Sequence, residues 1–386
     1  MGALDGTRVL EMAGIGPIPW AGMMLSDLGA EVIRIERPGA GALAGVVGSD
    51  PTDRGRRSLA LDLKRPEAVE IVLDLVATAD ILIEGFRPGV MERLGLGPDV
   101  CLGRNPQLVY GRMTGWGQDG PRATTAGHDL NYLSVTGVLA AIGTEEGSIP
   151  PLNLVADYGG GAMLLLVGVL AAALAVQNGA PGQVVDAAMV DGVTLLASLV
   201  HGLAAHGLWV EQRASNLLDG GAPFYRTYKT ADHEEVAVAA LEPQFYAALL
   251  SGLGLAQTEL PAQYDRGSWL AMHARFAAAF AEHPLPHWVE VFAGTDACVS
   301  PVLRWSEVDG DPHMAERRIV VDAGGMRQAA PAPRFSATPL GPVKPARSKG
   351  ADTEAILAEL GYAPTTIVKL LAEKVAAGPA AREEGL

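Results

Sequence analysis

Cysteine is nearly absent. Cys101 and Cys298 are the only two in 386 residues, too few for a disulfide framework and without the spacing of a zinc site. Both read as inert packing thiols of a protein kept in a reducing, cytoplasmic compartment, and no metal is expected. Positive charge is scarce as well: Lys and Arg total 29 against 44 Asp and Glu, a net charge of -15. That balance excludes a general nucleic-acid-binding surface and obliges any anionic ligand to find a local basic pocket. Long hydrophobic runs are missing too. The most membrane-like stretch, residues 162–176, is uncharged, but as a helix it would span about 22 Å against a hydrocarbon core of about 30 Å. It reads as a buried helix, and no membrane partner is expected. Residues 1–8 enter a strand-like stretch without a basic region followed by an apolar one, so no secretory signal is expected.

What is present is enough for a core. Hydrophobic residues make up 49% of the chain, and the length points to two domains or one domain with a large insertion. Residues 7–12 read as a buried strand, 20–28 as a helix and 30–36 as a second strand. Helical and extended patterns then alternate through 66–78, 81–84, 88–94 and 107–112, as in a parallel sheet. A doubly wound α/β domain is therefore expected over residues 1–223. Strand-like 224–229 and 235–241, followed by short helices, predict a smaller domain over 224–315. Five prolines between 331 and 345 suggest an extended connector, so 316–386 is expected to return to the large domain and close with two helices, 352–360 and 365–377.

Gly14, Gly16 and Glu36 imitate a dinucleotide fingerprint, but Pro19 stands where the third glycine should permit close helix packing. A tight strand-to-helix turn is the preferred reading, without a nicotinamide cofactor. Arg54, Arg56, Arg57, Lys64 and Arg65 crowd one stretch, with Arg37, Arg87 and Arg93 near other strand ends. Guanidinium forks suit phosphate, so a polyphosphorylated ligand fits this arrangement, and solvated surface charge fits it equally.

His128 stands at the start of an element whose Leu130, Leu133, Val138 and Ile142 suit one helix face. A helix N-terminus disfavours the imidazolium and prepares a neutral base, while a capping or core histidine is the plainer reading. Asp157 and Tyr158 precede Gly159, Gly160 and Gly161. An N-cap carboxylate would explain the aspartate alone. Three glycines in a first turn suggest in addition a close backbone approach by ligand, with the N–H groups of Tyr158, Gly159 and Gly160 available to an oxyanion. Glu242, just before Pro243, is a third ionisable group at a strand-to-helix junction.

These residues carry a resemblance. The chain resembles the family III CoA-transferases over nearly its whole length: in Gly16-Pro17, 25–36 (LSDLGAEVIRIE), 62–64, 86–96 (FRPGVMERLGL), 112–120 (RMTGWGQDG), 127–133 (GHDLNYL), 153–161 (NLVADYGGG), 241–246 (LEPQFY) and 295–302 (TDACVSPV). Its His-Asp pair, Asp-Tyr-Gly run and Glu-Pro-Gln run are similar to those of the branch that racemises 2-methylacyl thioesters. The resemblance implies a Rossmann-like large domain, a smaller α+β domain and an interlocked, ring-shaped homodimer. It implies acyl-CoA as substrate, with coenzyme A entering as the handle rather than as a separate cofactor, and Arg37, Lys64, Arg87 and Arg93 near its phosphates. Racemisation needs two acid/base groups on opposite faces of the α-carbon. His128, supported by Glu242, and Asp157 are expected to fill those roles, with Asp129 organising the site. The competing expectation is a CoA-transferase in which Asp157 is a nucleophile.

Overall fold

The computed structural model describes residues 2–39, 50–255 and 260–379, which divide into two units. The first holds 2–136, 152–196 and 318–379; the second holds Gly137–Pro151 and Ala197–Arg317.

The first unit is a mixed α/β layer structure on a central sheet. Six strands run parallel: β1 (Arg8–Met12), β2 (Glu31–Glu36), β3 (Arg57–Leu61), β4 (Ile81–Glu84), β5 (Val109–Thr114) and β6 (Gln183–Ala188). They lie in the order β3-β2-β1-β4-β5-β6. The order reverses between β1 and β4, and in such sheets ligands gather at the carboxyl ends of the strands beside that switch point. A short antiparallel strand, Ala376–Ala377, closes the β3 edge. β4 and β5 are buried on both faces, and in β4 this shows as the unbroken apolar run Ile81–Ile83 rather than an alternation.

Helices cover both faces. α1 (Pro17–Asp27) follows β1 and α2 (Pro66–Val76) follows β3, each with proline in its first turn, where the missing N–H costs nothing. Next come α3 (Val90–Arg93), α4 (Pro98–Arg104) and α5 (Asp129–Val135). Ile71, Val72 and Leu75 of α2 meet Leu10 and Met12 of β1 in one core cluster, together with Ile356, Leu357 and Leu370 of the last helices. Strand alternation then turns Val9 and Glu11 to the opposite face.

Several local expectations change. The helix expected from His128 through Ile142 breaks at Gly137, which is left-handed at φ 83°, and α6 (Val138–Ala141) is a separate turn in the second unit. The apolar stretch forms α7 (Met163–Gln177), yet it is buried on one face only: Leu165 and Val169 are enclosed while Val167 and Leu174 are exposed. Further along, α8 (Met189–Leu196) and α9 (Ser198–Ala205) are separated at Ala197. The final helix, expected to reach Ala377, ends at Ala372, and the chain after it supplies the closing strand.

The second unit contains an antiparallel sheet, β7 (Tyr225–Lys229), β8 (Glu235–Ala239) and β9 (Val299–Pro301), with α10 (Pro243–Gly252), α11 (Trp269–Phe280) and α12 (Leu285–Phe292). Aromatic rings concentrate in its core: Phe224, Tyr228, Tyr246, Trp269, Phe276, Phe280, Trp288 and Phe292. Phe224 meets Tyr246 and Trp269 edge to face, the arrangement that ring quadrupoles favour.

Candidate active site

A cavity of about 570 Å³ opens at the carboxyl end of the parallel sheet. It is lined by three segments at strand ends, 15–18, 85–88 and 113–116, and by His128, Tyr132, Asn153 and Asp157. The first two follow β1 and β4, the strands that flank the switch point.

His128 is the N-cap residue of α5 and is exposed. Its backbone N–H donates to Asn131 Oδ1 at 3.0 Å, fixing the entry to the helix. The Tyr132 hydroxyl donates to Gly127 O at 2.5 Å, so the peptide before His128 is held from the same helix. Tyr132 packs edge-on against Trp116, with ring centres 4.8 Å apart.

Asp157 was expected to cap the long apolar helix. It lies instead inside a π-helix, Leu154–Ala162, that runs into α7. π-Turns are rare and concentrate at functional sites. Buried Asp129 ties this turn to α5: its Oδ2 accepts the N–H groups of Ala156 and Asp157, both at 2.9 Å. The Asp157 carboxyl receives the Asn153 amide at 3.3 Å and rests on Gly16, where a Cβ would stand 3.0 Å from Oδ2. Gly16 is left-handed, φ 67°, at the N-cap of α1, so both its conformation and this close approach call for glycine. Burial raises the Asp157 pKa above the ordinary carboxylate range; the Asn153 hydrogen bond and the His128 charge oppose this, and the Asp129 charge adds to it. Burial therefore offsets the preference of a first helical turn for an ionised carboxylate.

The glycine run has a different use from the one expected. In a π-helix each N–H bonds five residues back, so the N–H groups of Tyr158, Gly159 and Gly160 belong to the ladder rather than to an open oxyanion hole. The glycines let α8 approach closely instead: a Cβ on Gly192 would collide with Gly160 O, and one on Gly160 would stand 2.7 Å from Val193 N.

The basic residues separate into two groups. Arg54 is buried against Asp27 and Ala329 O; Arg56 is buried beside Glu11; Arg57 binds Glu31 and Glu359. These three serve the scaffold. Arg37, Lys64, Arg87 and Arg93 are exposed and have no carboxylate partner among the described residues. Arg37, Lys64 and Arg87 follow the carboxyl ends of β2, β3 and β4, and Arg87 lines the cavity. Glu242 belongs to the second unit, exposed at the N-cap of α10. Sequence reasoning gave no role to Asn153, Tyr132 or Trp116, although they lie inside the runs 153–161, 127–133 and 112–120 that carried the resemblance.

A doubly wound sheet with an acid and an imidazole at its switch-point cavity defines an α/β protein equipped for proton or acyl transfer. Over residues 4–353 the chain matches the model of CoA-transferase family III, and it belongs to that family. α-Methylacyl-CoA racemase of Mus musculus is 45% identical over 375 residues, which is 96% of this chain and 97% of the relative. The Homo sapiens racemase is 43% identical over 376 residues, 97% of each. The crystal structure of Rv3272 from Mycobacterium tuberculosis is similar at a TM-score of 0.78 and 28% identity, covering 92% of this chain and 99% of that one.

Proposed function

We propose that this chain is a racemase that interconverts (2R)- and (2S)-2-methylacyl-CoA thioesters by 1,1-proton transfer through an enolate. The carrying observation is that His128 and Asp157 open into one cavity, with Asp157 half-buried and its pKa raised. The identity to the two racemases over almost the full length supports the same reading.

In this mechanism the ring nitrogen of His128 removes the α-proton from one face, and the electron pair moves into the thioester carbonyl as an enolate. The Asp157 carboxyl returns a proton to the opposite face, and the reverse reaction exchanges the two roles. A carboxyl whose burial favours the protonated form is suited to hold the proton that it returns. Asn153 holds its Oδ2, and Asp129 fixes the turn that carries it. Glu242 is assigned to support the His128 imidazolium, and Arg37, Lys64, Arg87 and Arg93 are assigned to the coenzyme A phosphates. The assembly proposed is a homodimer of interlocked rings in the cytoplasm, and coenzyme A comes only with the substrate.

A transferase would use Asp157 as a nucleophile and needs no second proton carrier, whereas here His128 opens into the same cavity. Relatives with transferase names are also more distant, such as an acetyl-CoA:oxalate CoA-transferase of Acetobacter aceti at 28% identity. Incubation of either epimer of a 2-methylacyl-CoA in deuterium oxide, without an acceptor acid, is expected to exchange the α-hydrogen. No exchange, with CoA passing instead to a second acid, would establish the transferase.

A further inference from the structure

Arg112 reaches inward from β5, its side chain only 8% exposed. Nε donates to Glu84 Oε1 at 3.0 Å, at the end of β4. Its Nη1 and Nη2 reach Glu92 Oε1 and Oε2 at 2.8 and 3.3 Å, on α3. The other oxygen of Glu84 accepts the Phe86 N–H at 2.7 Å. One guanidinium thus holds both ends of the segment from Phe86 to Glu92. That segment turns at Gly89, φ 80°, carries Arg87, and is followed at once by Arg93. The bidentate pair also engages the one carboxylate of α3, which otherwise would be free to neutralise Arg93 or Arg87.

We propose that Arg112 is a positioning residue for the coenzyme A handle: through Glu84 and Glu92 it fixes the loop that presents Arg87 and Arg93, and it keeps Glu92 off them. This rests on the acyl-CoA reading above, in which Arg87 and Arg93 meet the phosphates. A lysine cannot replace the fork, because its donors all sit on one nitrogen, whereas three separate guanidinium nitrogens reach the two acids.

The test is calorimetric binding of free coenzyme A to the full chain, with steady-state kinetics beside it. Arg112→Lys is expected to weaken coenzyme A about tenfold and raise KM in parallel, with kcat within about twofold, the pattern of lost binding common to ground and transition states. Because Arg112 also holds buried Glu84, that variant can fail to fold, and Glu92→Gln, at a partly exposed position, supplies the second arm. Removing a negative charge beside a phosphate site should by Coulomb's law tighten coenzyme A, whereas loosening the clamp should weaken it. A fall of about threefold or more in affinity with unchanged melting supports the proposal; unchanged or tighter binding overturns it. Failure of the unaltered protein to bind coenzyme A would instead overturn the acyl-CoA reading itself.

Discussion

Two acids lie against the same helix and serve different ends. Glu11 is wholly enclosed beneath α1, in the space left by Gly22, where a Cβ would collide with its Oε2. Arg56 Nε stands 3.4 Å and Arg34 Nε 3.7 Å away, and neither oxygen is hydrogen-bonded. Asp157 sits at the other glycine notch, Gly16, half-buried and open to the cavity. Burial raises both pKa values, Glu11 to about 7 against the opposing charges of Arg56 and Arg34. A raised pKa by itself therefore does not mark the reacting group. Access to a cavity does, together with a second proton carrier across it.

The largest effect expected from this contrast is at Arg56, which also donates to Pro19 O at 2.5 Å and so ties Glu11 to the first turn of α1. Arg56→Met leaves a buried acid without its nearest cation and is expected to cost about 3–5 kcal/mol in urea unfolding at pH 8. A loss below about 1 kcal/mol would mean that the cluster is not structural. His128→Ala comes next: turnover should fall by at least about a hundredfold, with urea stability unchanged because the side chain is exposed. A near-normal rate would remove His128 from the proton pair, and a lost fold would place it in the scaffold with Glu11.

The smallest effect is a pH slope. The folded state holds the Glu11 proton up to about pH 7, whereas the ordinary value is 4.5. The native protein then binds more protons than the unfolded one in that interval, so the contribution of Glu11 is full below about pH 4.5 and is lost as the pH rises to 7. Relative to Glu11→Gln, the unaltered protein should lose on the order of 1–3 kcal/mol between pH 5 and pH 7.5. A difference that stays flat across this range would contradict the raised value.

Much of this was legible in the residues. Apolar runs alternating with helical periodicity marked the parallel sheet, and Pro19 in place of a third glycine pointed to a tight strand-to-helix turn, which lies at Gly16, the α1 N-cap. His128 at a helix start and Asp157 beside a glycine run also held their places. What stayed hidden depends on partners far along the chain. Arg54 meets Ala329 O and Arg57 meets Glu359, so a basic cluster that reads as phosphate-binding turns out to be largely scaffold. The π-turn was hidden for another reason: the run 154–162 is compatible with an ordinary helix, and only the contacts of α8 and Asp129 reveal the wider winding.

The strand Ala376–Ala377 has a consequence for synthesis. It pairs with Leu61 and Ala60, which leave the ribosome some three hundred residues earlier. Until it arrives, β3 is an open edge whose free N–H and C=O groups can recruit a strand from another nascent chain. Asp352 and Thr353, which accept the Ser58 and Ala60 N–H groups, are made just before it, so this edge is protected only by the late C-terminal segment.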